Sequence, residues 1–422
     1  MTDDVALLLA RASFGPTAAE LAVARKAGYA ATLSTLLDPR LPDIGATSAP
    51  EPRLGLDPYA AFRDPTDEQR AKAYATRDRQ IEVITRWWLD RMTVADHQGL
   101  EKLVFFWHGH WATSVEKVRS AQLMLLQNRT MRQARDFADM TRKMVLDPAL
   151  VYWLDGHLNT KKSPNENLAR ELMELFLLGI GHYTEKDVKE AGRALTGYRV
   201  SLGSEACIMQ PEHFDGRRKT ILGVSGAIDA PGLANLLLRR KECPRFVATR
   251  MWFRYASSSQ PIPERTREAM AAAFPAPRAM LRVLFEDDEF GATAKTMVKQ
   301  PVEWLVGAMR QLGLRLGGLP PQTLSTILTG LRDMGQIPFA PPSVGGWAHG
   351  GSWLTSAAGR VRLVLAGTLA ELASIDKLTP EEVAYILCVD GWTDRTYTVL
   401  REVKDPRHML ALGMASPEYL VT

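Results

Sequence analysis

The chain has 422 residues, 46% of them hydrophobic and 24% charged, with 31 glycines and 25 prolines; a disordered, collagen-like or coiled-coil chain would lie far from these values. Lys and Arg number 52 against 48 Asp and Glu, leaving a formal charge of +4. That excess is too small and too evenly spread to make nucleic acid the main partner.

Helical periodicity dominates, so the expected fold class is mostly α, with two irregular Gly/Pro/aromatic inserts and at most a small β-hairpin. The N-terminus is acidic, without a basic segment, a long apolar run or a small-residue cleavage site, and no stretch approaches ~18 uninterrupted apolar residues. The expectation is a soluble protein without a membrane span, cytoplasmic as the sequence stands and periplasmic or secreted if a signal peptide was trimmed. A short helix is predicted over Val5–Arg11, broken by Ser13-Phe14-Gly15-Pro16, after which Thr17 and Glu20 supply a capping box. These residues belong to an N-terminal helical arm, 1–37, followed by a Pro/Gly/Asp-rich loop or linker, 38–64.

A central helical block is expected over 65–225. Its pattern is almost continuous from Thr66 to Asp147, interrupted near His108 to Ser114 and stopped by Pro148. A second run covers Pro164 to Thr196, opened by Ser163 as N-cap, Pro164 and Glu166. The helix signal then fails, and Tyr198–Ser201 and Cys207–Gln210 can pair as a hairpin across Gly203-Ser204. A C-terminal helical block is expected over 226–422, carrying the irregular insert Gln336–Trp353. The cysteines Cys207, Cys243 and Cys388 form no CxxC pair and no disulfide framework.

Five constellations can carry chemistry. In Phe105-Phe106-Trp107-His108-Gly109-His110-Trp111, an extended backbone would turn both imidazoles to one face and let them converge on a metal; on a helix they would point apart. Around them the aromatics favour neutral imidazole. On the Asn165–Phe176 helix, Asn167, Glu171 and Glu174 fall on one stripe, with Arg170 beside them as ion-pair partner or substrate clamp. Glu171 and Glu174 can supply acid and base, or oxygen ligands, whereas capping alone can account for Glu166 and Asp187. Arg193 is a candidate anion clamp. His213 and Asp215, two apart in a loop, can form an oriented imidazole–carboxylate pair. Trp347, in Phe339–Trp353, and Trp111 can stack on a sugar or plug the core. No phosphate-binding glycine loop, no Gly-x-Ser-x-Gly elbow and no His-Glu-x-x-His helix occurs.

Several of these segments together resemble a bacterial family of unknown function, number 1800. They are Leu-Leu-x-Arg-Ala-Ser-Phe-Gly-Pro-Thr from Leu8, Phe-Trp-His-Gly-His-Trp-Ala-Thr from Phe106, and Asn-Glu-Asn-Leu-Ala-Arg-Glu-Leu-Met-Glu-Leu-Phe from Asn165. Tyr-Thr-Glu-Lys-Asp-Val from Tyr183 and Pro-Pro-Ser-Val-Gly-Gly-Trp from Pro341 complete the set, which runs in order from Leu8 to Arg360. The resemblance implies that the motifs belong together and that relatives are commonly exported, a feature for which this sequence carries no signal. It implies no biochemical role.

The expected function is therefore a hydrolase, leaning towards carbohydrate, with a histidine/carboxylate site where these segments meet. In a metal-assisted form, His108 and His110 with Glu171, Glu174 or Asp215 hold a divalent ion. In a metal-free form, Glu171, Glu174, His213 and Asp215 move protons, and Trp111, Arg170, Arg193 and Trp347 bind substrate. The alternatives are a copper or iron oxidoreductase and a non-catalytic helical binding scaffold.

Overall fold

Capping chemistry decides where many of the helices start. The computed structural model, which describes residues 3–62 and 64–422, has capping boxes at Thr17/Glu20, Thr66/Gln69 and Thr184/Asp187. Each satisfies two otherwise orphaned backbone donors. Two expected boundaries are corrected. Pro148 does not stop a helix but opens Pro148–Trp153, because the Asp147 side chain accepts the Leu150 N–H and proline at the first position has no donor to lose. Ser163 and Pro164 stand in an exposed loop, and the helix begins later, at Asn167. The cause lies upstream: Asn159 Oδ1 accepts the Asn165 N–H at 2.8 Å, and Asn165 Oδ1 accepts that of Asn167 at 2.9 Å.

The chain is mostly α-helical. Its longest helices are Asp67–Val94 and Ser356–Leu372, with Gln98–His110, Ala121–Gln133, Glu242–Tyr255, Pro301–Gln311 and Pro321–Asp333 among the others. The expected hairpin is present, as Tyr198–Ser201 against Ala206–Met209, antiparallel with Ser201 opposite Ala206. A second small hairpin, Lys219–Ile221 with Val224–Gly226, was not anticipated; strands of three residues are too short to show alternation. No helix among the described residues is long and apolar enough to cross a membrane.

The stretches expected as separate blocks share one core. A single hydrophobic cluster runs from Leu7 through Trp88, Trp107, Phe176 and Trp304 to Tyr419. Helix Pro301–Gln311 packs on Asp67–Val94, and Ser356–Leu372 on Pro406–Ala415. Near the end of the chain, Val298 bridges Val421, with the Lys299 N–H donating to Leu420 O at 2.8 Å. The segment around Val298 and Lys299 is thus held extended.

Candidate functional site

Helix Gln98–His110 continues through both histidines, and Trp111 caps it. The interruption expected near His108 thus begins after His110. Two residues apart on a helix, the imidazoles point in very different directions. His108 Nε2 accepts the Phe339 N–H at 2.9 Å, and the ring is surrounded by Trp88, Phe339 and Trp347. His110 Nε2 lies 2.9 Å from the Phe176 carbonyl. A carbonyl only accepts, so this nitrogen carries the proton and Nδ1 is bare. Phe176 lies near the end of a π-helical turn, Leu172–Leu177, where carbonyls lack partners within the helix. Burial pushes both imidazoles down to about 3, helped at His110 by the charge of Arg250. The expected metal site shared by His108 and His110 is therefore not formed. Among the described residues no three His, Cys, Asp or Glu side chains are grouped to hold a metal ion.

The other predicted residues are dispersed. Glu171 and Glu174 lie at a half-buried surface, where the Tyr183 hydroxyl donates to Glu174 and burial with the neighbouring Glu174 charge raises Glu171. Arg170 is committed to Glu185 at 2.7 and 2.8 Å. Asp215 and His213 do not form the expected pair. The Asp215 carboxylate instead accepts from Arg193 at 2.8 Å and from Arg217 at 2.7 Å. These guanidinium groups hold it well below the usual carboxylate range, unsuited to giving or taking a proton near neutrality. Arg193 also pairs with Glu190 at 2.8 Å, so it is no free anion clamp. Trp111 is fully buried against Phe137 and Phe176 and cannot meet a substrate.

Trp347 and His110 do come together, at a cavity of about 420 Å³ between Gln98–His110, Glu242–Tyr255 and the 342–350 loop, within the usual size of a small-molecule site. The loop is laid on the helix by a close backbone approach. Gly346, at φ +87°, lies so near that a Cβ there would meet the Gly109 carbonyl at 2.7 Å. Trp347 stacks on Phe105, and its Nε1 has no partner.

The charges around this cavity are of one sign. Arg250 and Arg254 line it beside the imidazoles of His110 and His349, and among the described residues no Asp or Glu does. Arg254 is partly neutralised by the buried Glu303 at 2.9 Å, which also binds Lys102. Burial would raise the Glu303 carboxyl, but Arg254 and Lys102 bring it down to about 2. Arg250 is different. Its Nε is buried without a partner, and burial alone lowers the guanidinium, with no carboxylate near enough to oppose it. Burial and the charge of Arg250 lower His349 too, whose ring packs edge-on against Phe253 at 4.5 Å.

Arg250, Arg254 and His349 escaped the sequence reading. The arginines, four apart on one helix, look like ordinary surface charges. Their only signal is the apolar company of Met251, Trp252 and Phe253. His349 sits inside the Trp347 loop, where the tryptophans are the more conspicuous signal.

With this geometry in place, the comparisons add one assignment. Residues 7–421 match the model of the family described as protein of unknown function (DUF1800), and the chain belongs to that family. No curated protein and no solved structure shows significant similarity to it.

Proposed function

We propose that this member of the DUF1800 family is a hydrolase of a small anionic ester, with the cavity between Arg250 and Trp347 as its site. One observation carries the reading: Arg250, half-buried and with its Nε buried without a partner, faces a cavity that no carboxylate among the described residues lines. An unpaired buried charge is costly, and a phosphate, sulfate or carboxylate on the substrate would offset that cost through a charge-assisted fork. Arg250 anchors the anionic group, and Trp347 packs against the organic part. The neutral His349 imidazole takes a proton from the attacking water as the ester bond breaks and returns it to the leaving oxygen. Carbohydrate enters this reading only as the alcohol half of such an ester. The Glu171/Glu174 pair stays outside the cavity.

Calorimetry with phosphate, sulfate and small carboxylates tests the binding half. Binding of one anion, lost in Arg250→Met, is expected; equal binding by the variant would sink the assignment. A screen of phosphate, sulfate and carboxylate esters tests the hydrolytic half. Turnover should disappear in His349→Ala while the anion still binds. Because Arg250 lowers His349, kcat/KM should hold to mildly acidic pH before falling. Substrate that neutralises Arg250 should shift the limb of kcat to higher pH. Binding without any turnover would leave a ligand-binding protein and remove the hydrolase.

A further inference from the structure

A second and larger cavity, about 710 Å³, lies on the other side of the extended segment 297–300, enclosed by residues 3–16, 294–299 and 387–422. Its walls are largely apolar, with Leu7, Leu387, Val399, Leu400 and Leu412 among them. Besides its lysines, the charged groups at its lining are Asp3, Asp390, Arg395 and Glu418. Asp3 is held by Arg25 at 2.6 Å, and Glu418 accepts from Thr393 and Thr396. Arg25 also reaches Asp390, at 3.7 Å.

Among the described residues two lysines line this space, Lys295, which is exposed, and Lys299, which is half-buried. Lys299 lines the cavity while its two neighbours, Val298 and Gln300, line the first one. Lys299 Nζ sits 3.4 Å from the centre of the Tyr419 ring. Among the described residues no carboxylate pairs with it, and a ring face stabilises an ammonium far less than a carboxylate does.

We propose that Lys299 is a nucleophilic lysine that captures an aliphatic aldehyde or ketone in this cavity as an imine. The amine lone pair attacks the carbonyl carbon, the nitrogen loses its two hydrogens, and the carbonyl oxygen leaves with them as water. No oxidant or reductant takes part. A lysine acts in this way when desolvation keeps its amine neutral. Burial lowers Lys299 to about 7, opposed by the charge of Glu303 and reinforced by that of Lys102. Cys388 itself is raised by burial to about 11, so its thiol stays protonated and donates to Pro16 O at 3.4 Å. The apolar walls select the carbon chain of the carbonyl compound.

The test is reductive trapping. The full chain is incubated at pH 7 with hexanal and cyanoborohydride, which reduces an imine to a stable secondary amine, and adducts are mapped by peptide mass spectrometry. A first hexyl adduct at Lys299, formed at least about tenfold faster than at any other lysine, is expected. An ordinary lysine is neutral only in about one part in a thousand at that pH. Between pH 7 and 9 the Lys299 rate should level off, whereas surface lysines should gain about tenfold per pH unit. The Lys299→Arg and Lys299→Met chains, checked for a cooperative melt, should lose this fast phase. Adducts spread over surface lysines, or a Lys299 rate that climbs with pH like theirs, would overturn the proposal. Mapping in the wild-type chain decides the matter even if neither variant folds. The anion site is untouched by either result, since Lys299 does not line it.

Discussion

His108 accepts the backbone N–H of Phe339 at 2.9 Å across 231 residues of sequence. This bond ties the start of the Trp347 loop to the helix that carries Gly109 and His110. Replacing His108 by Leu would leave the Phe339 N–H buried and unpaired, at a cost of about 1–3 kcal/mol. The urea midpoint should fall accordingly, and His108→Gln, which can still accept, should recover part of it. Anion affinity should weaken in His108→Leu although His108 does not line the cavity. An unchanged affinity would mean that the loop is held by other contacts.

Arg250 offers a signature that separates a binding residue from a structural one. A structural arginine loses stability on truncation because its partners are left unpaired. Arg250 has no carboxylate partner to leave behind, so Arg250→Met should melt at the same temperature as the wild type or higher. Glu303→Gln is the contrast. It strands Lys102 and Arg254 without their shared carboxylate, and a loss of about 3–5 kcal/mol is expected. Chemical denaturation of both variants beside the wild type checks the pair, and a marked loss in Arg250→Met would contradict the site.

Gly346 tests the close approach that positions Trp347. An alanine Cβ would meet the Gly109 carbonyl at 2.7 Å, and φ +87° is unfavourable for any side chain. Gly346→Ala should therefore cost about 1–3 kcal/mol and loosen the 342–350 loop. Faster amide exchange confined to that loop is the expected readout. Gly345→Ala, where the nearest atom is Ser343 Oγ at 3.6 Å, should be tolerated.

What the sequence made legible follows from how local each feature is. The Thr17 and Thr184 capping boxes and the Tyr198–Ser201 hairpin depend on residues a few positions apart, and all three stand in the structure. The His108-Gly109-His110 segment shows where locality fails. Glycine between two histidines suggests a break, but the apolar face of Leu103, Val104, Phe106 and Trp107 keeps the helix intact to its end. Asp215 fails for a different reason. Its partner Arg193 is 22 residues away on a helix, and no spacing rule links a loop carboxylate to it. The cavity combines residues 105–110, 250–258, 297–300 and 342–350. His110 and Trp347 were visible because aromatic motifs flank them, whereas Arg250 acquires its meaning only from the carboxylate that is missing around it.

The buried histidines also set how stability depends on pH. His108 and His110 are pushed from 6.5 down to about 3 by burial. Below pH 6.5 the unfolded chain binds two protons that the folded chain refuses. Their contribution is thus complete above pH 6.5 and is lost as pH falls towards 3, each histidine contributing a slope of roughly 1 kcal/mol per pH unit. Asp147 works the other way. Burial raises its carboxyl to about 7, against the Leu150 N–H and Gln127 hydrogen bonds. Between pH 7 and 4 the folded chain therefore holds one proton that the unfolded chain releases, and stability rises as pH falls. His108 and His110, joined by His157 and His349, which burial also lowers, outweigh one aspartate, so the unfolding free energy should decline from pH 6.5 to 4.5. His108→Gln should flatten that slope, and Asp147→Asn should steepen it, by roughly 1 kcal/mol per pH unit in each case. Urea titrations at half-unit pH intervals give both slopes. A His108→Gln slope equal to that of the wild type would show that the imidazole titrates alike in the folded and unfolded chains, and so is not held neutral at the Phe339 N–H.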